Sequence, residues 1–147
     1  MFTTEIQEYL HEHIPLSAAM EVEVLAVDEH HVCLQAPLAP NINHRETVFG
    51  GSASAVAILS AWSLLHFRLR QAGCECQLVI QRNSMEYRRP ISTDFRSVAR
   101  LVEPDSWQRF VTTLERRGKA RIRVLAILES DGSESGFFEG VFVALAK

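Results

Sequence analysis

The stretch "NINHRETVFGGS", residues 41–52, gathers the groups that could do chemistry. His44 carries an imidazole, a side chain that can take a proton from water or give one to a carbonyl. Asn41 and Asn43 flank it with amides able to orient a water or a polar substrate. Glu46 is the one acid in the loop, placed either to orient His44 or to sit in solvent. Gly50 and Gly51 open a long apolar run with no side chains to screen its first amides, at what would be the positive end of a helix. A carbonyl oxygen arriving there would meet one or two N–H donors, as a developing oxyanion requires. The same glycines would equally let a helix start pack closely on a sheet or on a second subunit. Likewise, a lone loop histidine reads as a surface residue, and only its asparagine neighbours raise it to a candidate base. Thr47 reads first as a turn hydroxyl and second as a substrate contact, and Ser52 as a cap for the same helix end.

Other chemistries have less to stand on. No Gly-x-Ser-x-Gly elbow occurs, which argues against a serine nucleophile. The three cysteines, Cys33, Cys74 and Cys76, are odd in number and lack zinc spacing, so no metal site is expected and a reducing, cytoplasmic setting is. Net charge is −3 over 147 residues, which gives no nucleic-acid footprint. Arginines cluster twice. Arg88 and Arg89 precede Pro90, and Arg116, Arg117, Lys119, Arg121 and Arg123 follow a second helix. Either group could receive phosphates or an acidic partner. The second group reads first as a solvated helix end and polar strand face.

Periodicity supplies the elements that must hold this loop. Glu5–His13 predicts a short helix stopped by Pro15, and Met20–Ala26 and Val32–Ala36 alternate as strands. Gly51–Gln71, closed by Gly73, predicts a helix apolar on most sides, which must be enclosed on most sides. Its small-residue content argues for a core helix rather than a membrane span. Beside Ala53, Ala55, Ala57, Ser60 and Ala61 there is room for either an acyl tunnel or tight helix–sheet packing. Strands follow around Leu78 and over "DFRSVARLV". An amphipathic helix through Trp107, Phe110, Val111 and Leu114 starts at Asp105 or Ser106 and stops at Gly118. Ala120–Ser130 and Phe137–Ala146 close the chain as strands joined by "DGSESG". The expected architecture is α+β, a single domain over residues 1–147 with six largely antiparallel strands wrapped around a long buried helix.

That architecture is the hotdog fold, and "FGGSASAVAILSAWSLL" with the later "MEYRRPISTDF" resembles the hotdog thioesterase pattern of Gly-Gly at the central helix and Tyr-x-Arg-Pro on the next strand. "NINHRETVFGGS" is similar to the thioesterase domain at the C-terminus of YiiD-type acetyltransferases, here without the acetyltransferase. The resemblance implies hydrolysis of acyl-coenzyme A or acyl-carrier-protein thioesters without a cofactor. It also implies a homodimer or dimer of dimers with sites at the subunit interface. His44, Asn43, Asn41 and Gly51 become the catalytic candidates, and Thr47, Phe49, Gly50, Ser52, Arg88 and Arg89 the substrate-binding ones. One departure stands out. Where better-understood hotdog thioesterases carry a histidine before Gly-Gly and an acid two turns into the helix, this chain has Phe49 and Ile58. An acyl-thioester hydratase or dehydratase, and a non-catalytic acyl-thioester binder, therefore remain as alternatives.

Overall fold

The computed structural model describes residues 2–147, so Met1 lies outside it. The chain runs α1 (Phe2–His13), α2 (Pro15–Ala19), β1 (Glu23–Val27), β2 (Val32–Ala36), a 3-10 turn (Ala39–Asn41), α3 (Gly50–Gln71), β3 (Cys76–Tyr87), β4 (Phe95–Leu101), α4 (Ser106–Arg117), β5 (Lys119–Ser130) and β6 (Ser133–Ala146). The six strands form one antiparallel sheet in the order β1-β2-β4-β5-β6-β3. It curls around α3, which touches β2, β3, β4, β5 and β6. This is the hotdog fold.

Alternation places one face of the sheet against α3. On β5, Ala120, Ile122, Val124, Ala126 and Leu128 are buried, while Arg121, Arg123 and Glu129 are exposed. Phe95, Phe138 and Phe142, the largest fully buried side chains, fill the space between sheet and helix. The alanines of α3 bring the helix close enough for the buried Ser60 hydroxyl to meet that of Ser97 on β4 at 2.7 Å. Ser60 also donates to the Ala57 carbonyl at 2.8 Å, so the pair is satisfied within the core. By length and composition α3 could cross a membrane, but ten of its residues are enclosed by the fold.

Local rules explain where elements begin and end. α1 stops at His13, as Pro15 predicts, but Pro15 then opens a second short helix. It takes the first position of α2, where its missing N–H costs nothing, so β1 begins at Glu23 instead of Met20. Asp131 and Gly132 both adopt left-handed φ, 51° and 72°, as a two-residue hairpin turn requires. That tight turn starts β6 at Ser133, four residues before the expected Phe137. Gly118 stops α4 in the left-handed region, its N–H bonded to the Leu114 carbonyl at 2.8 Å. Neither proposed cap starts α4 from its side chain. Asp105 makes no cap bond, and the Ser106 hydroxyl donates backwards to the Glu103 carbonyl.

His66 stacks between Tyr9 and Trp62, with ring centroids 4.8 and 4.6 Å away. Burial pushes its pKa down to about 4, and nearby Arg70 and His13 push it the same way. The ring is therefore neutral near pH 7 and serves to dock α1 against α3.

Candidate active site

The loop before α3 is built by its own amide side chains. Asn41 is 2% exposed, and its Nδ2 donates to the Met20 carbonyl at 3.0 Å and to the Pro37 carbonyl at 2.8 Å. Its own carbonyl accepts the Phe49 N–H at 2.7 Å. One buried residue thus ties the end of α2, the end of β2 and the start of α3 together. Its Oδ1 is buried without a partner among the described residues.

Asn43 closes a smaller ring. Its Oδ1 accepts the N–H groups of Arg45 and Thr47 at 2.8 and 3.2 Å, and its Nδ2 donates to the Thr47 hydroxyl at 2.9 Å. Its backbone N–H reaches the Thr47 carbonyl at 2.8 Å, and Glu46 takes a left-handed φ of 64° to complete the turn. Ile42 and Val48 then pair as an antiparallel bridge, and the Val48 N–H bonds to the Ile91 carbonyl at 2.8 Å. The expectation that both asparagines orient water meets a different geometry. Their Nδ2 groups brace the loop, and Thr47 braces it with them.

This scaffold holds His44 at the loop tip. The side chain is exposed and no hydrogen bond or ion pair engages it among the described residues, so Glu46 does not orient it. The imidazole is free to meet a ligand.

At the start of α3, Phe49 occupies the N-cap position with no side-chain cap bond, and no acid sits in the first turn. The first intrahelical bond runs from the Ala53 N–H to the Phe49 carbonyl. The N–H groups of Gly50, Gly51 and Ser52 therefore lack acceptors among the described residues, as helix geometry demands. Ser52, expected as a cap, makes no such bond.

The glycines also make room for two rings. A Cβ on Gly50 would lie 3.4 Å from the Tyr87 ring, and one on Gly51 would lie 2.4 Å from the ring of Phe49. The two readings of Gly-Gly are thus compatible. The amides are bare because they open the helix, and the missing side chains let the two aromatic rings lie against the same turn. Tyr87, which the sequence reading left out of the site, donates its hydroxyl to the Gly50 carbonyl at 3.1 Å. Its place in the Tyr-x-Arg-Pro motif was the available signal.

Arg88 and Arg89 turn out to be employed elsewhere. Arg88 pairs with Glu86 and Glu134 and lies over the Phe137 ring. Arg89 donates to the carbonyls of Ser130, Ser133 and Glu134. Both pin the end of β3 to the β5–β6 hairpin, which leaves neither as an unpaired phosphate receiver. Ile58, at the position of the missing acid, is half-buried against the apolar core. No cluster of three or more His, Cys, Asp or Glu side chains able to hold a metal occurs among the described residues.

Cavities of about 320 to 520 Å³ open among the described residues on surfaces away from the helix mouth, lined by neither His44 nor Gly50 nor Gly51. The helix mouth is an open ledge, with Ile42, Phe49 and Tyr87 45%, 58% and 58% exposed around it.

The family described as "Putative thioesterase (yiiD_Cterm)" matches residues 3–146, nearly the whole chain. The chain belongs to this family. Its fold is shared with a protein of unknown function from Chlorobaculum tepidum, at 26% identity and a TM-score of 0.91, with 99% of this chain and 95% of that one covered. A protein from Shewanella oneidensis described as a "putative thioesterase" superposes with a TM-score of 0.85 at 24% identity, covering 97% and 96% of the two chains. One from Pseudomonas aeruginosa, described as a probable thioesterase, gives 0.83 at 22%, covering 98% and 96%.

Proposed function

We propose that the chain hydrolyses acyl thioesters of coenzyme A or an acyl carrier protein, in the cytoplasm, at the mouth of α3. The observation that carries this reading is the run of three acceptor-free amides, Gly50, Gly51 and Ser52, at the positive end of a 22-residue helix. The thioester carbonyl oxygen accepts from these donors, which hold the negative charge that develops as the carbonyl carbon becomes tetrahedral. His44 takes a proton from water, and the resulting hydroxide oxygen bonds to the carbonyl carbon. The C–S bond then breaks, and the imidazolium returns the proton to the leaving sulfur, so the products are a carboxylic acid and a thiol. Asn41, Asn43 and Thr47 act by holding the loop in position, while Phe49 and Tyr87 flank the acyl group.

The working form in this reading is a dimer. β3 is an edge strand of 12 residues, and Val79 on it, with Ile42, Phe49 and Tyr87 near its far end, presents exposed apolar surface. A second copy paired along β3 would cover these side chains and turn the ledge into a crevice.

The test is release of free thiol from saturated acyl thioesters of graded length, with the mass in solution measured alongside. Saturated substrates are expected to be cleaved by a species of twice the 16.6 kDa chain mass. Hydration of an enoyl thioester with no hydrolysis would select the hydratase alternative. Binding with no product over hours would select the non-catalytic one.

A further inference from the structure

A second site lies away from the helix mouth, where β4 runs out. β4 ends at Leu101, paired with Val124, so the first residues of β5 have a strand neighbour only on the β6 side. α4 lies along the open side, and a cavity of about 320 Å³ remains between them. Four arginines from three elements line it: Arg82 of β3, Arg109 of α4, and Arg121 and Arg123 of β5.

The register explains why they converge. Arg123 and Arg82 both oppose Val141 of β6, so the two sit on one face with a single valine between them. At the usual strand spacing their α-carbons are about 10 Å apart, and Arg121 lies about 7 Å further along β5. Arg109 closes the group from α4. Arg123 is compensated by Glu103 and Glu139, at 3.8 and 3.2 Å. Arg82, Arg109 and Arg121 have no carboxylate within ion-pair distance among the described residues. On a chain of net charge −3, three uncompensated guanidinium groups around one concavity stand out as a local excess of positive charge. Guanidinium forks match phosphate oxygens two at a time, and Val141 and Phe110 add apolar surface to the lining.

We infer that this cleft binds a small ligand carrying at least two phosphate charges. The concave shape and the approach from three elements suit such a ligand better than the flat face of an acidic protein. The source is either the nucleotide end of a coenzyme A thioester or a free phosphorylated metabolite, and the chemistry of recognition is the same for both. The inference does not depend on the activity assigned to the helix mouth.

The experiment is calorimetric titration of the full chain at low salt with pyrophosphate, adenosine 3′,5′-bisphosphate and inorganic phosphate. One saturable site per chain is expected for the first two, with inorganic phosphate weaker. Arg109→Gln combined with Arg121→Gln should weaken pyrophosphate at least tenfold, as should Arg82→Gln combined with Arg121→Gln. Arg116→Gln combined with Arg117→Gln removes the same charge outside the cleft and should change affinity less than twofold. All these side chains are exposed, and unchanged circular dichroism and melting would confirm that the variants fold. If coenzyme A binds like the bisphosphate and the bisphosphate competes with thioester turnover, the ligand is the substrate's own nucleotide. If the bisphosphate binds without competing, it is a free metabolite. Both results support the cleft. Absence of saturable binding, or equal losses in the cleft and control variants, would overturn it, as would uptake of an acidic protein with none of the phosphates.

Discussion

His44→Ala lowers thioester turnover by about 100-fold or more, the ordinary worth of a positioned general base. It does so without a matching loss of stability. The imidazole is exposed and makes no hydrogen bond, so its removal should shift unfolding by no more than about 0.5 kcal/mol. KM should stay within a few-fold, because the amides of Gly50 and Gly51 and the apolar flank of Phe49 and Tyr87 remain in place. Added imidazole should restore part of the rate. Steady-state kinetics and a thermal melt on one preparation give both numbers. A folded variant that turns over like wild type would remove His44 from the mechanism and leave the helix mouth to act on water unaided.

Asn41→Asp is expected to cost at least about 3 kcal/mol of stability at neutral pH, read from the midpoint of urea unfolding. The native amide supplies two N–H donors from a 2%-exposed position, one to Met20 and one to Pro37. An ionised carboxylate supplies none, faces two carbonyl oxygens and loses its hydration. Burial would raise the pKa of this new acid in the folded state above its unfolded value. The penalty is therefore fully present above the folded pKa. It shrinks as pH falls toward the unfolded pKa of about 4, because a protonated acid regains one donor. Asn41→Ala, which removes the donors without adding charge, should cost about 2 kcal/mol with little pH dependence. An Asp variant as stable as wild type would mean that the loop is not held through this amide.

These two predictions separate residues that look alike in the sequence. Asn41, Asn43 and His44 all stand in one polar loop, and each side chain could bind water or brace backbone. Residue type does not distinguish the two uses. The difference lies in carbonyls contributed by Met20 and Pro37, and in a turn closed onto Thr47, none of which the loop motif announces. Tyr87 was hidden for a related reason, since its hydroxyl meets Gly50 across 37 residues of chain. Arg88 and Arg89 read as free charges because, apart from Glu86 beside Arg88, their partners are Glu134 and the carbonyls around the Asp131–Gly132 turn, more than 40 residues downstream.

What could be read early was governed by local rules or by periodicity. The all-round apolar character of Gly51–Gln71 required an enclosing sheet, and alternation on the strands supplied one. Gly118 marked a helix stop and Asp131–Gly132 a turn. The strand starts expected at Met20 and Phe137 lie three and four residues from the observed Glu23 and Ser133, each displaced by a proline or turn dipeptide doing its local work one element away.

The central claim is that bare amides at the start of α3 receive the thioester carbonyl. A crystal structure with a non-hydrolysable acyl-coenzyme A analogue that keeps the carbonyl measures this most directly. The carbonyl oxygen should lie about 3 Å from the N–H of Gly50, Gly51 or Ser52, with the His44 ring facing the carbonyl carbon through one water. A carbonyl seated elsewhere, with those amides still unoccupied, would contradict the account.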